Sequence, residues 1–343
     1  MNKIYDYDLN DLIVYVESMG LKKFKAKQIY KWLYKKRVTS FDVMSDLSKD
    51  LIQNLKENFI IDSLEVVTKQ VSSDGTVKFL SRLEDGSLVE SVLMSFDYGY
   101  SACISTQVGC NMGCTFCASG LLKKVRNLTS GEILNQVVNI QRYLDQTEER
   151  LANIVVMGTG EPFDNYDNLM KALSIINDND GLEIGARHIT ISTCGLVPII
   201  KKFSNERTQY NLAVSLHAPN DELRSRLMPI NRAYPLAQLM DALKEYSAIN
   251  NRRLTFEYLL LDGINDTQEN ADQLRDLLKG MNAYVNLIPY NEVEENDYKT
   301  SGEKKALAFY DMLKKRGIAV TIRQKKGDDI DAACGQLRAK YSK

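Results

Sequence analysis

Over residues 1 to about 65, apolar side chains recur at helical spacing: Leu9, Leu12, Ile13 and Val16, then Ile29, Trp32 and Leu33, then Leu47, Leu51 and Leu55. A three-to-four-residue repeat puts such side chains on one face of a helix, so a small helical module is predicted over residues 1–65. The pattern then switches to runs rich in β-branched residues. Leu64–Val71 and residues 76–83 flank Asp74-Gly75, and Asp85-Gly86 precedes residues 88–94. Asp-Gly pairs between such runs predict antiparallel β-hairpins, a strand-rich extension over residues 66–100.

From 101 to 343 the pattern changes once more. Short apolar runs at residues 102–108, 154–157, 188–192, 212–216, 254–261, 285–288 and 320–322 alternate with amphipathic stretches. Thr129-Ser130-Gly131-Glu132 has the form of a capping box opening one helix, and residues 169–176, 236–246 and 274–281 supply others. Strands that alternate with helices predict parallel βαβ units. About six repeats make an α/β barrel, open or closed, with its functional loops at the C-terminal ends of the strands.

With 343 residues, 44% of them apolar and 26% charged, the chain has material for one large core and a small accessory domain. No run approaches the roughly 18 apolar residues of a membrane span. Acidic residues and tyrosines interrupt Met1 to Asn10 where a signal peptide would be uniformly apolar, so a cytoplasmic protein with no membrane partner is expected. In that reducing compartment Cys103, Cys110, Cys114, Cys117, Cys194 and Cys334 read as metal ligands or catalytic thiols rather than as a disulfide framework. A net charge of -1 neither demands nor excludes a polyanionic partner. Lys22, Lys23, Lys25, Lys27, Lys31, Lys35, Lys36 and Arg37 crowd around Trp32 and Tyr34; smaller basic groups lie at Lys123, Lys124 and Arg126 and at Arg323, Lys325 and Lys326. The plain reading of the first group is a solvated helix face; the alternative is phosphate binding.

Directly after the first run of the alternating part comes Cys110-Asn111-Met112-Gly113-Cys114-Thr115-Phe116-Cys117. Three thiolates at this spacing can wrap a compact loop around a cubane iron–sulfur cluster, with Gly109 and Gly113 allowing the tight turns. Three ligands leave one iron open. That iron can chelate the amino and carboxylate groups of S-adenosylmethionine (SAM) and pass an electron to its sulfonium, releasing a 5′-deoxyadenosyl radical. The rival is zinc, but structural zinc takes a fourth Cys or His, and the two histidines, His188 and His217, are remote in sequence. Val155-Val156-Met157-Gly158-Thr159-Gly160-Glu161-Pro162 reads as a buried strand running into glycines and a carboxylate, suited to a cofactor's amino acid moiety or to an ordinary strand-ending turn.

The cysteine spacing resembles the signature of the radical SAM superfamily, which implies a partial (β/α)6 barrel. Residues 103–110, Ser215-Leu216-His217-Ala218-Pro219-Asn220, residues 286–291 and residues 327–337 narrow the likeness to the RlmN family of adenine-C2 methyltransferases over nearly the whole chain. That resemblance implies 23S ribosomal RNA and transfer RNA as substrates, a [4Fe-4S] cluster on Cys110, Cys114 and Cys117, two SAM per turnover, and a flavodoxin-type electron donor; a monomer is expected. It implies that Cys334 carries the methyl as S-methylcysteine and forms a covalent adduct with RNA. Glu90 would then take the C2 proton, and Cys103 would release the product through a transient disulfide. SAM contacts carry over to Gly160, Glu161, Ser192, Ser215, Leu216, His217 and Asn291. Thr159 departs from the methionine common in the family while keeping both glycines.

By residue type alone, Cys103 and Cys334 are ordinary buried thiols as readily as catalytic ones, although the polar surroundings of Cys334 suit an exposed loop. Glu90 taken singly is a surface carboxylate, His217 is equally a structural histidine, and Cys194 is assigned a structural role. Rival functions are the sister Cfr-type adenine-C8 methyltransferase, a non-catalytic metal-containing RNA-binding protein, and another radical SAM reaction such as sulfur insertion. Glu161-Pro162 and residues 286–291 look more like the C2 enzymes.

Overall fold

The computed structural model describes residues 1–62, 64–121, 123–292 and 296–330. Strand β1 (Asn2–Lys3) leads into helices α1 (Leu9–Ser18), α2 (Phe24–Tyr34) and α3 (Lys49–Asn58), and strand β2 (Phe59–Ile60) pairs in parallel with β1, closing the module end to end. α1 begins at a reciprocal cap. The Asp8 carboxylate accepts the Asp11 N–H and the Asp11 carboxylate accepts the Asp8 N–H, satisfying two donors that a helix start leaves orphaned. On α2, Ala26, Ile29, Tyr30, Leu33 and Tyr34 are buried, while Lys27 and Lys31 are exposed. Lys27 and Lys31 thus stand on the polar face of an amphipathic helix, while Lys22, Lys23, Lys35, Lys36 and Arg37 lie beyond its ends.

Side chains of the module continue into the same apolar core as the rest of the molecule. Polar contacts reinforce the join: Asp6 accepts the Gly131 N–H at 2.7 Å, Lys3 Nζ lies 2.6 Å from Glu132, and Arg142 donates to the Val38 carbonyl and to Asp62, both at 2.7 Å.

Strands β3 (Leu64–Val71), β4 (Val77–Leu83), β5 (Leu88–Phe96) and β6 (Gly99–Cys103) pair antiparallel in sequence order. The strand expected over 102–108 is split. Both backbone groups of Ser105 are taken by the Gln136 side-chain amide, at 2.9 Å each, so the chain leaves the sheet there and resumes as β7 (Gln107–Val108). β7 pairs with β8 (Arg126–Asn127), and this ladder pins the neck of the intervening cysteine loop, which holds the short helix α4 (Ala118–Leu121).

Beyond the loop, α5 (Ser130–Asp145) starts on the expected capping box of Thr129 and Glu132. There follow β9 (Leu151–Val156), α6 (Tyr166–Asn177), β10 (Ile189–Thr193), α7 (Val197–Asn205), β11 (Asn211–Ser215), α8 (Asp221–Leu227), α9 (Leu236–Asn250) and β12 (Leu254–Leu260). Helix α10 (Gln268–Leu277), β13 (Ala283–Pro289), α11 (Gly302–Lys315) and β14 (Ala319–Ile322) complete the described chain. α10 starts earlier than the apolar pattern indicated because Thr267 and Asn270 form a further capping box.

The sheet has ten strands in the order β3-β4-β5-β6-β9-β10-β11-β12-β13-β14, and neighbours from β6 onward run parallel. This is the expected α/β partial barrel, with β14 as a seventh parallel strand. Among the described residues the sheet stays open, with β3 and β14 at its two edges.

Candidate active site

Strand ends and the cysteine loop converge on one cavity of about 350 Å³. Cys110, Cys114 and Cys117 line it, as do Cys103, Gly160, Glu161, Ser192, Ser215, His217 and Asn291. Ten of the thirteen residues singled out in the sequence therefore share this wall. Leu216 does not: it is fully buried, and its N–H donates to the Glu257 carbonyl at 3.0 Å. Glu90 lies outside the lining, and Cys334 falls outside the described residues.

The cysteine loop is held from several sides. The Thr115 N–H donates to the Leu227 carbonyl at 3.0 Å, Tyr290 donates its hydroxyl to the Phe116 carbonyl at 3.2 Å, and the Cys117 N–H reaches the Cys114 carbonyl at 3.2 Å. Burial pushes the Cys110 thiol up to about 11 and raises Cys114 further, with neighbouring thiols adding to both shifts. A group that binds thiolates and brings positive irons offsets the desolvation and the mutual repulsion together. Among the described residues no three Cys, His, Asp or Glu side chains converge closely enough to hold a single metal ion. Three thiols on one short loop suit a multi-iron cluster with an open iron, whereas structural zinc takes a fourth Cys or His.

After β9 the chain passes Gly158 and Gly160. Gly160 has φ +110°, and a Cβ there would stand 2.6 Å from Cβ of Gln107, so both conformation and space call for glycine. The same Gln107 accepts the Glu161 N–H at 2.9 Å, which turns the Glu161 carboxylate inward. Its two oxygens accept the N–H groups of Cys194 (2.8 Å) and Phe163 (3.0 Å), while burial raises its pKa. Such a carboxylate is suited to receive an ammonium group, which would relieve the cost of burying it. Thr159 is buried beside this turn, its hydroxyl 3.4 Å from that of Ser119 in the cysteine loop.

His217 is held structurally and also lines the cavity. In a left-handed conformation (φ +56°), it accepts the Leu259 N–H on Nδ1 at 3.0 Å, leaving the ring proton on Nε2 in the cavity wall. Burial, helped by the Arg224 charge, lowers its pKa to about 3, so the ring is neutral at physiological pH. Arg224 is itself fully buried and donates to the carbonyls of Cys194 (2.7 Å), Ser215 (3.2 Å) and Leu216 (3.3 Å), tying two strand-end loops together.

Four contributors were missed in the sequence. Glu257, in mid-strand on β12, lines the cavity, is buried, and accepts from the Asn286 amide at 2.9 Å; burial raises its pKa against the pull of Arg323. Arg323 lines the same wall. Cys194, expected to be purely structural, also lines it, and its N–H anchors Glu161. The fourth is Lys78. Its Nζ lies 3.0 Å from the Glu90 carboxylate, and both side chains are at least 96% buried. Glu90 is no surface group but half of a buried ion pair. Alternation along β5 puts Glu90 on the same face as Val92, which pairs across the ladder with Cys103.

The chain matches the family model of the radical SAM superfamily over residues 104–275, and that of the ribosomal RNA large subunit methyltransferase N-terminal domain over residues 2–61. It is 56% identical over 345 residues to a Streptococcus mutans protein named "Probable dual-specificity RNA methyltransferase RlmN", covering 99% of this chain and 96% of that one. A Spiroplasma citri protein of the same name is 54% identical over 340 residues, covering 99% and 98%. Among solved structures, a radical SAM methyltransferase from Sphaerobacter thermophilus superposes with a TM-score of 0.95 at 42% identity, covering 98% of this chain and 99% of that one.

Proposed function

The chain belongs to the RlmN family of radical SAM RNA methyltransferases, and from that premise we propose that it methylates C2 of adenine in 23S ribosomal RNA and in transfer RNA, by way of a methyl group carried on Cys334. Family membership sets aside the non-catalytic and sulfur-inserting readings. The observation that carries the proposal is the convergence of Cys110, Cys114, Cys117, Cys103, Glu161 and His217 on one cavity, with Glu90 on the adjoining face.

Adenine C2 is electron-poor and does not attack a sulfonium methyl, so polar transfer fails. The cluster and SAM, when bound, supply a radical able to remove hydrogen from an S-methyl group. The residues of the chain then have distinct tasks. Cys110, Cys114 and Cys117 hold the cluster, while Gly160, Glu161, Ser192, Ser215, Leu216, His217 and Asn291 form the SAM site, with Glu161 taking the amino group. Leu216 contributes through the backbone turn it holds, since its side chain is buried away from the cavity. The Cys334 thiolate takes a methyl from a first SAM, with S-adenosylhomocysteine as leaving group. A second SAM would supply the radical that removes hydrogen from the S-methyl group; the carbon on the sulfur of Cys334 would then bond to C2, and the odd electron of that adduct would return to the oxidised cluster that Cys110, Cys114 and Cys117 would hold. Glu90 accepts the C2 proton. Cys103 attacks the Cys334 sulfur; the sulfur–carbon bond breaks, a disulfide forms, and the new methyl group leaves on the RNA. A dithiol reductant must reopen that disulfide before the next turnover.

The same reading gives residues 1–65 to an RNA-binding accessory unit, 66–100 to the connecting strands and 101–343 to the catalytic barrel, in a cytoplasmic monomer served by a flavodoxin-type donor. No helix among the described residues is long and apolar enough to cross a membrane. C2 is favoured over C8 by Glu161-Pro162 and by residues 286–291, the segments that resemble the C2 enzymes.

The deciding experiment is anaerobic reconstitution with iron, sulfide, SAM and a reductant. Ribosomal and transfer RNA are supplied separately, and nucleosides are read by mass spectrometry against 2-methyladenosine and 8-methyladenosine standards. The expected product is 2-methyladenosine on both RNAs, abolished in Cys334→Ala with iron retained. 8-Methyladenosine, or undiminished methylation by Cys334→Ala, overturns the proposal.

A further inference from the structure

After β14 the chain leaves one edge of the open sheet and runs across the mouth of the cavity to the hairpin at the opposite edge. The Arg323 N–H still donates to the Leu287 carbonyl on β13 at 2.8 Å. Arg323, Gln324, Lys325 and Lys326 then line the cavity, and Lys326 Nζ stands 5.1 Å from the centre of the Phe96 ring on β5. Gly327 turns the chain with φ +69°, and its N–H donates to Asp74 Oδ2 at 3.0 Å. Two residues on, Asp329 accepts the Ser73 N–H at 2.9 Å and the Ser72 hydroxyl.

The hairpin side of this contact is preformed. Asp74 Oδ1 holds the Thr76 N–H at 2.9 Å, and the Ser72 N–H reaches the Thr76 carbonyl at 2.8 Å. The grip is reciprocal: a carboxylate of the β3–β4 turn takes an N–H of the strap, and a carboxylate of the strap takes an N–H of the turn. Charge-assisted bonds of this kind are the stronger class. They overcome partial burial at Asp74, where the Gly327 and Thr76 N–H groups hold the carboxyl below its ordinary range.

We propose that Ser72, Ser73 and Asp74 form, with Gly327 and Asp329, a clasp that fixes the strap preceding Cys334 and so positions that thiol for catalysis. The inference rests on the reading of Cys334 as methyl carrier. Cys334 lies four steps along the chain from Ile330, and four extended steps reach at most about 14 Å. An anchored strap thus fixes the point from which the rest of the chain to Cys334 must start, and a released strap widens the volume open to the thiol. Confinement of this kind raises the effective concentration of a reacting group. Asp74, Ser72, Ser73 and Asp329 are positioning residues, since none of them lines the cavity.

The test uses the reconstituted full chain and compares wild type with Asp329→Ala, Asp74→Ala, the double variant and Asp329→Asn, which keeps an acceptor for the Ser73 N–H. Two quantities are read: 5′-deoxyadenosine formed per methylated adenine, and the fraction of Cys334 methylated after brief exposure to SAM, by peptide mass spectrometry. With iron content unchanged, the double variant should raise the first ratio by about tenfold and lower the second quantity, as expected for a loosened reactant, while Asp329→Asn falls between it and wild type. Asp329→Ala removes only an exposed strap carboxylate, so it tests the clasp even if Asp74→Ala disturbs the hairpin. A ratio within about twofold of wild type in both alanine variants overturns the clasp, since misplacing a reacting group costs more than that. Failure of the underlying reading shows differently, as methylation by Cys334→Ala, and takes the clasp with it.

Discussion

Along the parallel half of the sheet, most groups of the candidate site sit at or just past strand ends, with Glu257 in mid-β12 the exception: Cys103 closes β6, Gly160 and Glu161 follow β9, Ser215 closes β11 and Asn291 follows β13. The antiparallel half behaves otherwise, since Lys78 and Glu90 lie within β4 and β5, where the ladder occupies the backbone and only side chains are left to act. The difference is one of solvent and freedom. A loop at a strand end can re-aim its backbone amides, as at Cys194 and Phe163 on Glu161, and so hold a charge without a counter-ion of its own. In mid-strand the backbone amides are taken by the ladder, so a buried carboxylate there relies on side chains: Lys78 for Glu90 and the Asn286 amide for Glu257.

This contrast can be broken or sharpened by substitution. The largest effect belongs to the strand-end loop: Cys114→Ala should lose most bound iron and all methylation, measured by iron analysis and nucleoside mass spectrometry. Next, Lys78→Met removes the buried cation facing Glu90 and should destabilise the fold by about 3–5 kcal/mol in chemical denaturation, with iron retained; adding Glu90→Gln should recover much of the loss. If the single variant is as stable as wild type, the mid-strand pair does not have the role given to it.

A third effect follows from His217. Its folded pKa, about 3, lies below its unfolded value of roughly 6.5, so the unfolded chain binds the extra proton first. Stability is therefore complete above about pH 6.5 and falls toward pH 3 by up to about 1.4 kcal/mol per unit. His217→Gln should flatten the difference in unfolding free energy between pH 7 and pH 5. The smallest effect is predicted at the far end of β4, where Arg82 and Glu65 make an exposed pair at 3.2 Å. Arg82→Ala should change stability by less than about 1 kcal/mol, the usual range for exposed pairs.

The two halves also differ in how far they can be read from sequence. Three cysteines within eight residues can hardly avoid sharing a loop, and β-branched runs alternating with capped helices dictate the parallel sheet. In β4, by contrast, Val77-Lys78-Phe79-Leu80-Ser81-Arg82-Leu83 reads as a strand with one wet face, yet every residue but Arg82 is buried. Period-2 patterning cannot tell a solvated lysine from one facing a carboxylate on the next strand. Glu257 was hidden in the same way, inside the apolar run of β12. The Gly327–Asp74 contact joins residues 253 positions apart, and nothing local to either signals the other.

The attachment of the helical module through Lys3 and Asp6 has a practical corollary for anyone building chimaeras. Both residues bond to the first turn of α5, the helix that leaves the neck of the cysteine loop. A graft cut near residue 62 would move the module together with half of its own fastening, leaving Glu132 and the Gly131 amide mismatched to the incoming hexapeptide. Exchange between relatives should succeed only when residues 1–6 and the Thr129–Glu132 turn travel as a matched set.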